Sequence, residues 1–431
     1  MSNALKLRPP GDPIDARVRV PGSKSITNRS LVAAALAKGR SVLTGALVAD
    51  DTLAMREVLT RLGVTITAGD GGQTLSVEGC AGAPHAASGR LDARSAGTVA
   101  RFVPPLLALG AGDYVLGGSA QMRARPLGAG IEALRALGVE ITYAGDEGHL
   151  PVRVAGTRGQ VGPAVRLRAD VSSQYASGLL LSAPCFVDGL VLDLEGDVVS
   201  RPYVEMTAAV MQAFGARVTG EGTRRVVAPG GYRATDHRIE PDASAASYFF
   251  AAAAITGGRV VVPGLGADSV QGDLGFVGVL GRMGCEVAIA ADATEVRGPR
   301  QLTGVEVDMR DLSDTAQTLA VVAPWATTPT RITGIGFIRH KESDRVGALA
   351  RELRRVGIEV TEEPDGLLIH PGVPRAARVA TYDDHRMAMS FALLALRTEG
   401  IEIEDPGCVR KTYPGYFADL EEATGMTAGD V

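Results

Sequence analysis

Six short polar loops in this chain each stand directly before an Ala/Leu-rich segment. They are Pro21-Gly22-Ser23-Lys24-Ser25, Arg94-Ser95-Ala96-Gly97-Thr98 and Asp170-Val171-Ser172-Ser173-Gln174 in the first half. In the second half they are Pro241-Asp242-Ala243-Ser244, Leu312-Ser313-Asp314-Thr315 and Tyr382-Asp383-Asp384-His385-Arg386. Ser, Thr and Asp at such places are good helix N-caps, and a single one implies nothing further. Six of them change the reading. A helix N-terminus offers N–H donors and partial positive charge, which suit anions. Cations also gather in or near these loops: Lys24, Arg29, Arg101, Arg125, Lys341, Arg345, Arg386 and Lys411. The pattern predicts chemistry on anionic substrates carried by Lys, Arg, Asp and Glu. It shows no obvious metal cluster and no Ser/His/Asp triad.

The elements that position these loops form a repeat. Helix-like segments end in a glycine followed by an alternating strand at Gly63, Gly138, Gly215, Gly284 and Gly357, where glycine suits a left-handed helix C-cap. Each strand runs into a Gly/Asp-rich turn and a second strand, as at Ala68-Gly69-Asp70-Gly71-Gly72 before Gln73 to Val77, which predicts a hairpin. The segments behind the six loops, such as Tyr248-Phe249-Phe250-Ala251-Ala252, are apolar all round and so are expected to be buried. Each repeat of about 70 residues therefore holds one buried helix, one amphipathic helix and several strands. Six loops against five glycine hairpins leave the last repeat incomplete. The helix around Tyr416 to Glu422 and a strand at Ala16 to Val20 are expected to complete it. Three repeats then make a domain of residues 22–240, and three make a domain of 1–21 with 241–431. Buried helices whose N-termini face one cleft between these domains would suit phosphorylated, carboxylated substrates.

Composition narrows the function class. The chain has 431 residues, 45% hydrophobic, enough for two or three cores. Its formal charge of −5 argues against a nucleic-acid-coating surface. Cys80, Cys185, Cys285 and Cys408 are far apart without a C-x-x-C pair, which predicts reduced thiols rather than a zinc site or disulfide frame. The first residues, MSNALKLRPPGD, lack the apolar stretch of a signal peptide. No uncharged stretch reaches the roughly 18 apolar residues of a membrane span. The expectation is a soluble cytoplasmic protein.

At these loops the chain resembles the enolpyruvyl transferases, in particular those acting on shikimate-3-phosphate. The resemblance covers essentially the whole chain in order. It rests on Pro21 to Ser25 with Asn28-Arg29, Ala96-Gly97-Thr98 with Arg101-Phe102, Arg125-Pro126, Ser172-Ser173-Gln174 and Ser200-Arg201-Pro202-Tyr203. It continues through Asp242-Ala243-Ser244, Asp314, Lys341-Glu342-Ser343-Asp344-Arg345, Asp384-His385-Arg386-Met387-Ala388-Met389 and Lys411-Thr412. The resemblance implies an α/β fold of two domains, each of three similar units, around an interdomain cleft. It implies that Ser25, Arg29, Ser172, Ser173, Ser200, Tyr203, Asp314 and Lys341 hold shikimate-3-phosphate. Phosphoenolpyruvate would be held by Lys24, Gly97, Arg125, Gln174, Arg345, Arg386 and Lys411. The implied chemistry is addition followed by elimination, with no metal or organic cofactor. Asp314 and Glu342 are the implied proton carriers, Lys24 and Lys411 their cationic partners, and His385 a neighbour that orients them or transfers protons. The sequence leaves open which carboxylate serves which step. The resemblance further implies a monomer, competitive inhibition by glyphosate, and neither a nucleic-acid nor a membrane partner.

Three departures stand out. Arg94-Ser95 occupies the place of a frequent Gly-Asn, Phe337 that of a frequent site asparagine, and Arg201 that of a lysine. Two rival readings remain at this level. A sister transferase acting on UDP-N-acetylglucosamine typically carries a cysteine before its arginine, and Gly117 to Arg125 contains none. A catalytically silent phosphometabolite-binding paralogue would account for Arg94, Ser95 and Phe337.

Overall fold

The computed structural model describes residues 4–10, 14–86, 88–170 and 172–429, so Val171 of the third polar loop lies outside the described residues. The chain divides into two compact units, Gly22–Glu240 and Met1–Pro21 with Pro241–Val431. Each unit has its own core. One runs from Ile26 to Ile239, and the other joins Leu7, Ile14, Val18 and Val20 to residues between Ala243 and Met426.

Six four-stranded sheets share one plan. In the repeat following Ser88, strand Ser88–Asp92 leads into helix Gly97–Leu107 and then strand Asp113–Gly117, which lies parallel to the first. An amphipathic helix, Gly128–Ala136, comes next, and strands Ile141–Tyr143 and Val152–Ala155 complete the sheet antiparallel. The same parallel pair brackets four of the six polar loops and their buried helices, those starting at Gly97, Ser173, Ala316 and His385. These helices are Lys24–Leu36, Gly97–Leu107 and Ser173–Ser182 in one unit, and Ala243–Thr256, Ala316–Val322 and His385–Ala392 in the other. Small side chains let them approach closely. A Cβ at Gly178 would overlap the Arg101 carbonyl oxygen of the neighbouring helix. Among the described residues no helix is long and apolar enough to cross a membrane.

Two strands exchange places at the crossings between units. Asp236–Arg238, at the end of the 22–240 unit, pairs parallel with Arg40–Thr44 of its first repeat. Asp15–Arg17 pairs parallel with Arg259–Pro263, in the first repeat after Pro241. The expectation that Ala16 to Val20 completes the last repeat is therefore wrong. Ala4–Arg8 does so, lying between Ile401–Glu404 and Thr427–Gly429 in the sheet. The last hairpin is thus split between the two ends of the chain, which is why no sixth hairpin could be read locally.

The repeat glycines close each amphipathic helix in one way. Gly63, Gly138, Gly215, Gly284 and Gly357 have φ between 81° and 108°. At each, the next residue's N–H reaches back across the turn, as Val64 N does to the Leu59 carbonyl at 3.1 Å while Gly63 N reaches that of Thr60 at 3.0 Å. This is the Schellman pairing, and it turns the chain from helix to strand. Gly425, with φ of 71°, ends the Tyr416–Thr424 helix in the same repeat position. Side chains cap four of the six buried helices: Ser23, Ser172, Asp242 and Asp384. The expected caps at the other two are absent, since Ala96 precedes Gly97 and a 3-10 turn, Ser313–Thr315, precedes Ala316.

A Cβ at Gly138 would meet nothing within 4 Å, so substitution there tests backbone conformation alone. Gly138→Ala is expected to cost about 1–2 kcal/mol in urea unfolding, and Gly138→Asn clearly less, because Asn tolerates the left-handed region. Equal losses for the two would contradict the assignment.

Candidate functional site

The predicted site residues fall into two groups, one in each unit. In the 22–240 unit, the Lys24–Leu36 helix presents Lys24 from its first turn. Its Nζ lies 3.4 Å from Asp51 Oδ2 on the next helix, and both side chains are largely covered. One turn on, Arg29 is 1% exposed. Its Nε donates to Thr207 Oγ1 at 2.7 Å, Nη1 to the Ser25 carbonyl at 3.0 Å, and Nη2 to Ser177 Oγ at 3.0 Å and the Tyr203 carbonyl at 3.2 Å. The rings of Phe102 and Tyr203 flank the guanidinium. Burial among neutral groups pushes its pKa down to about 10, against a smaller opposing influence of Tyr203. Arg29 thus ties together the chain at Ser25 and Tyr203, two of the predicted substrate residues. Ser200, buried and left-handed at φ 54°, starts the helix that carries Tyr203.

Gly97, Arg125 and Gln174 come together. A Cβ at Gly97 would stand 3.1 and 3.2 Å from the Arg125 Nη atoms and 3.2 Å from Gln174 Oε1. The Gln174 oxygen is buried and accepts no hydrogen bond among the described residues. Glycine therefore adds no bulk against the guanidinium and amide at a helix N-terminus, an arrangement suited to a small anion. Sequence reasoning missed what holds Arg125 there. Arg101 Nη2 and the Tyr175 hydroxyl both donate to the carbonyl of the adjacent Pro126, at 2.8 and 2.6 Å. Arg101 also lies over the Tyr175 ring. Ser172 caps the Ser173–Ser182 helix by accepting from Gln174 N at 3.2 Å, and so sets the direction of Gln174.

The second group is organised around Arg345, which begins helix Arg345–Arg355 and is 1% exposed. Its Nε and Nη2 grip Asp384 at 2.8 and 3.2 Å. Nη2 also lies 2.9 Å from Glu342 Oε2, and Nη1 lies 3.4 Å from Asp314 Oδ1. Burial works against the charge of Arg345, but Asp384, Glu342 and Asp314 outweigh it and raise the pKa above the usual arginine value. Arg386 takes the other side of Asp314, with Nη2 2.7 Å from Oδ2 and Nη1 2.8 Å from the backbone carbonyl. The buried Tyr248 hydroxyl lies 3.5 Å from Arg386 Nη1, and burial pushes its pKa up to about 12, leaving it neutral. Asp314 is consequently held between two guanidiniums, whose charge favours an ionised carboxylate that accepts hydrogen bonds.

The sequence marks Asp384 as a member of a helix-capping loop and of the Asp-His-Arg motif. It is fully buried, caps the His385–Ala392 helix through Arg386 N, and also accepts from Ser343 Oγ. His385 is 1% exposed with Nδ1 3.7 Å from Asp384, a placement that favours support over proton transfer. Lys411 is buried at the end of a 3-10 turn, Pro406–Lys411. Lys341 lies 5.7 Å from the ring centre of Phe337, so the residue in the frequent asparagine position gives Lys341 an aromatic neighbour. The other departure has turned outward. Arg94 is left-handed at φ 49° and pairs with Glu57, while Ser95 bonds Ser119. Neither contact involves the proposed proton carriers.

The family described as EPSP synthase (3-phosphoshikimate 1-carboxyvinyltransferase) matches residues 9–420. The chain is 44% identical over 407 residues to 3-phosphoshikimate 1-carboxyvinyltransferase of Nostoc punctiforme, covering 94% of this chain and 95% of that protein. It is 42% identical over 412 residues to the protein of that name from Methanosphaerula palustris, covering 95% and 96%. Among solved structures, EPSP synthase from Acinetobacter baumannii superposes with a TM-score of 0.82 at 27% identity, over 99% of this chain and 100% of that one. The enolpyruvyl transferase NikO from Streptomyces tendae shares the fold, with a TM-score of 0.78 at 19% identity over the full length of both. Taken with the two groups of residues, these likenesses place the chain in the EPSP synthase (3-phosphoshikimate 1-carboxyvinyltransferase) family.

Proposed function

We infer that this chain transfers the enolpyruvyl group of phosphoenolpyruvate to the 5-hydroxyl of shikimate-3-phosphate and releases phosphate. The observation that carries this reading is the Asp314 carboxylate held between Arg345 and Arg386, in a chain of this family. The reading includes a monomer working in the cytoplasm on two small anions.

The 22–240 unit holds most of shikimate-3-phosphate. Ser25, Ser172, Ser173, Ser200, Tyr203 and Lys24 offer donors to its phosphate and oxygens, and Arg29 braces the chain behind them. Asp314 and Lys341 of the other unit take the ring hydroxyls. Lys24, Arg125, Gln174, Arg345, Arg386 and Lys411 hold phosphoenolpyruvate by its carboxylate and phosphate, since arginine forks match both groups. Gly97 keeps the space beside Arg125 and Gln174 open for it.

In the addition step, Asp314 accepts the proton of the 5-hydroxyl while its oxygen bonds to C2 of phosphoenolpyruvate. The methylene carbon takes a proton at the same stage, and Glu342, in its protonated form beside Arg345, is the group assigned to deliver it, with Asp384 keeping the charge opposite Arg345. The product is a tetrahedral intermediate still carrying phosphate. Elimination then returns a proton from the new methyl group to the Glu342 carboxylate, restores the double bond and breaks the C2–O bond to phosphate, which leaves with the electron pair. Lys24, Arg125 and Lys411 stabilise the charge collecting on the leaving group. His385, 3.7 Å from Asp384, is assigned a positioning role rather than a proton transfer.

Purified protein is expected to release phosphate only when both substrates are present. Release with either one alone, or none with both, would overturn the reading. Gly97→Ala moves Arg125 or Gln174 by a few tenths of an ångström, so the KM for phosphoenolpyruvate is expected to rise about tenfold with a small change for shikimate-3-phosphate. An unchanged phosphoenolpyruvate KM would remove Gly97 from the site. Glyphosate is expected to compete with phosphoenolpyruvate, and inhibition insensitive to its concentration would contradict the shared site.

A further inference from the structure

The turn that delivers Asp384 and Arg386 has a backbone shape its own residues disfavour. Tyr382 and Asp383 are consecutive and both left-handed, with φ of 56° and 54°. Residues with a Cβ avoid this region, and two in succession are rarer still. The Asp384 N–H closes the turn on the Thr381 carbonyl at 2.9 Å. Such a shape persists only where the surroundings impose it.

The surroundings here are one face of helix Arg345–Arg355. The Tyr382 hydroxyl donates to Glu352 Oε1 at 2.6 Å. Arg351 lies over the Tyr382 ring, 5.2 Å from its centre, with Nε 3.3 Å from the hydroxyl. Glu352 is fully buried, and its other oxygen accepts from Ala380 N at 3.1 Å and Arg355 Nε at 2.8 Å. One buried carboxylate therefore binds the chain at residue 380 and again at 382, just ahead of the turn's end. The helix that supplies it begins with Arg345, so the clamp fixes the turn bearing Arg386 to the element bearing Arg345.

We propose that Glu352 and Tyr382 are positioning residues for phosphoenolpyruvate, a clamp that holds the strained turn so that Arg386 and Asp384 keep their register with Arg345. This rests on the reading that Arg345 and Arg386 hold phosphoenolpyruvate. Neither clamp residue touches substrate; both act through the 382–383 backbone. Tyr382→Phe keeps the ring over Arg351 but removes the hydroxyl, losing a 3.3 Å bond from Arg351 Nε along with the shorter one to Glu352. Loss of these hydrogen bonds is expected to raise the phosphoenolpyruvate KM about tenfold, with kcat and the shikimate-3-phosphate KM within about twofold. Adding Asp383→Gly, which accepts positive φ without steric cost, is expected to restore most of the lost affinity. Glu352→Gln should reproduce the effect of Tyr382→Phe, a check that does not depend on one variant folding. An unchanged phosphoenolpyruvate KM, equal rises in both KM values, or no restoration by Asp383→Gly would overturn the clamp while leaving the wild-type activity standing. Wild-type protein that turns over neither substrate would overturn both.

Discussion

A guanidinium taken out of water must find its counter-charge in the protein, and Arg345 sets that condition for half of the site. Stripping water from such an ion costs several kcal/mol, and excellent geometry is needed to offset it. Asp384, itself fully buried, supplies two contacts, while Glu342 and Asp314 supply the others. The same carboxylates that keep Arg345 charged are thereby fixed in place for chemistry. Asp384 is the structural member, because it also caps a helix and accepts from Ser343. Asp314 and Glu342 are the members left at the edge of the cluster, with side-chain exposures of 17% and 8%.

Arg29 meets the same condition in the opposite way. It is as deeply buried as Arg345, yet it bonds to hydroxyls and carbonyls, those of Thr207, Ser25, Ser177 and Tyr203. Its pKa is pushed down to about 10 by burial, which still leaves it charged at neutral pH. Among the described residues Arg29 has no carboxylate partner, which leaves net positive charge beneath Ser25, Ser177 and Tyr203. That suits a region assigned to a phosphate, just as the Arg345 cluster suits a region assigned to proton transfer. One unit thus tends to attract an anion, and the other balances cations with bases.

Much of this was legible in the sequence because it rests on local constraints. A left-handed residue after a helix requires glycine for its lack of a Cβ, so Gly63, Gly138, Gly215, Gly284 and Gly357 marked the repeat. The caps Ser23, Ser172, Asp242 and Asp384 were legible for the same reason. What could not be read depends on distant chain segments. The pairing of Leu7 with Ile401 leaves no local mark, and Ala4–Arg8 and Asp15–Arg17 are similar short strands, so the wrong one was chosen for the last sheet. Asp51 against Lys24, the Arg101 and Tyr175 hold on Pro126, and the hub role of Asp384 likewise exist only after folding. The resemblance named the residues assigned to substrate but not the ones that aim them.

The central claim is that Asp314 works as a charged acceptor between two guanidiniums, and Asp314→Asn tests it most directly. The substitution keeps size and one oxygen while removing the charge. Phosphate release with both substrates should fall by about 10³-fold or more, while shikimate-3-phosphate still binds within about tenfold by calorimetry. Turnover within tenfold of wild type would contradict the account, because the hydroxyl proton would then have another destination.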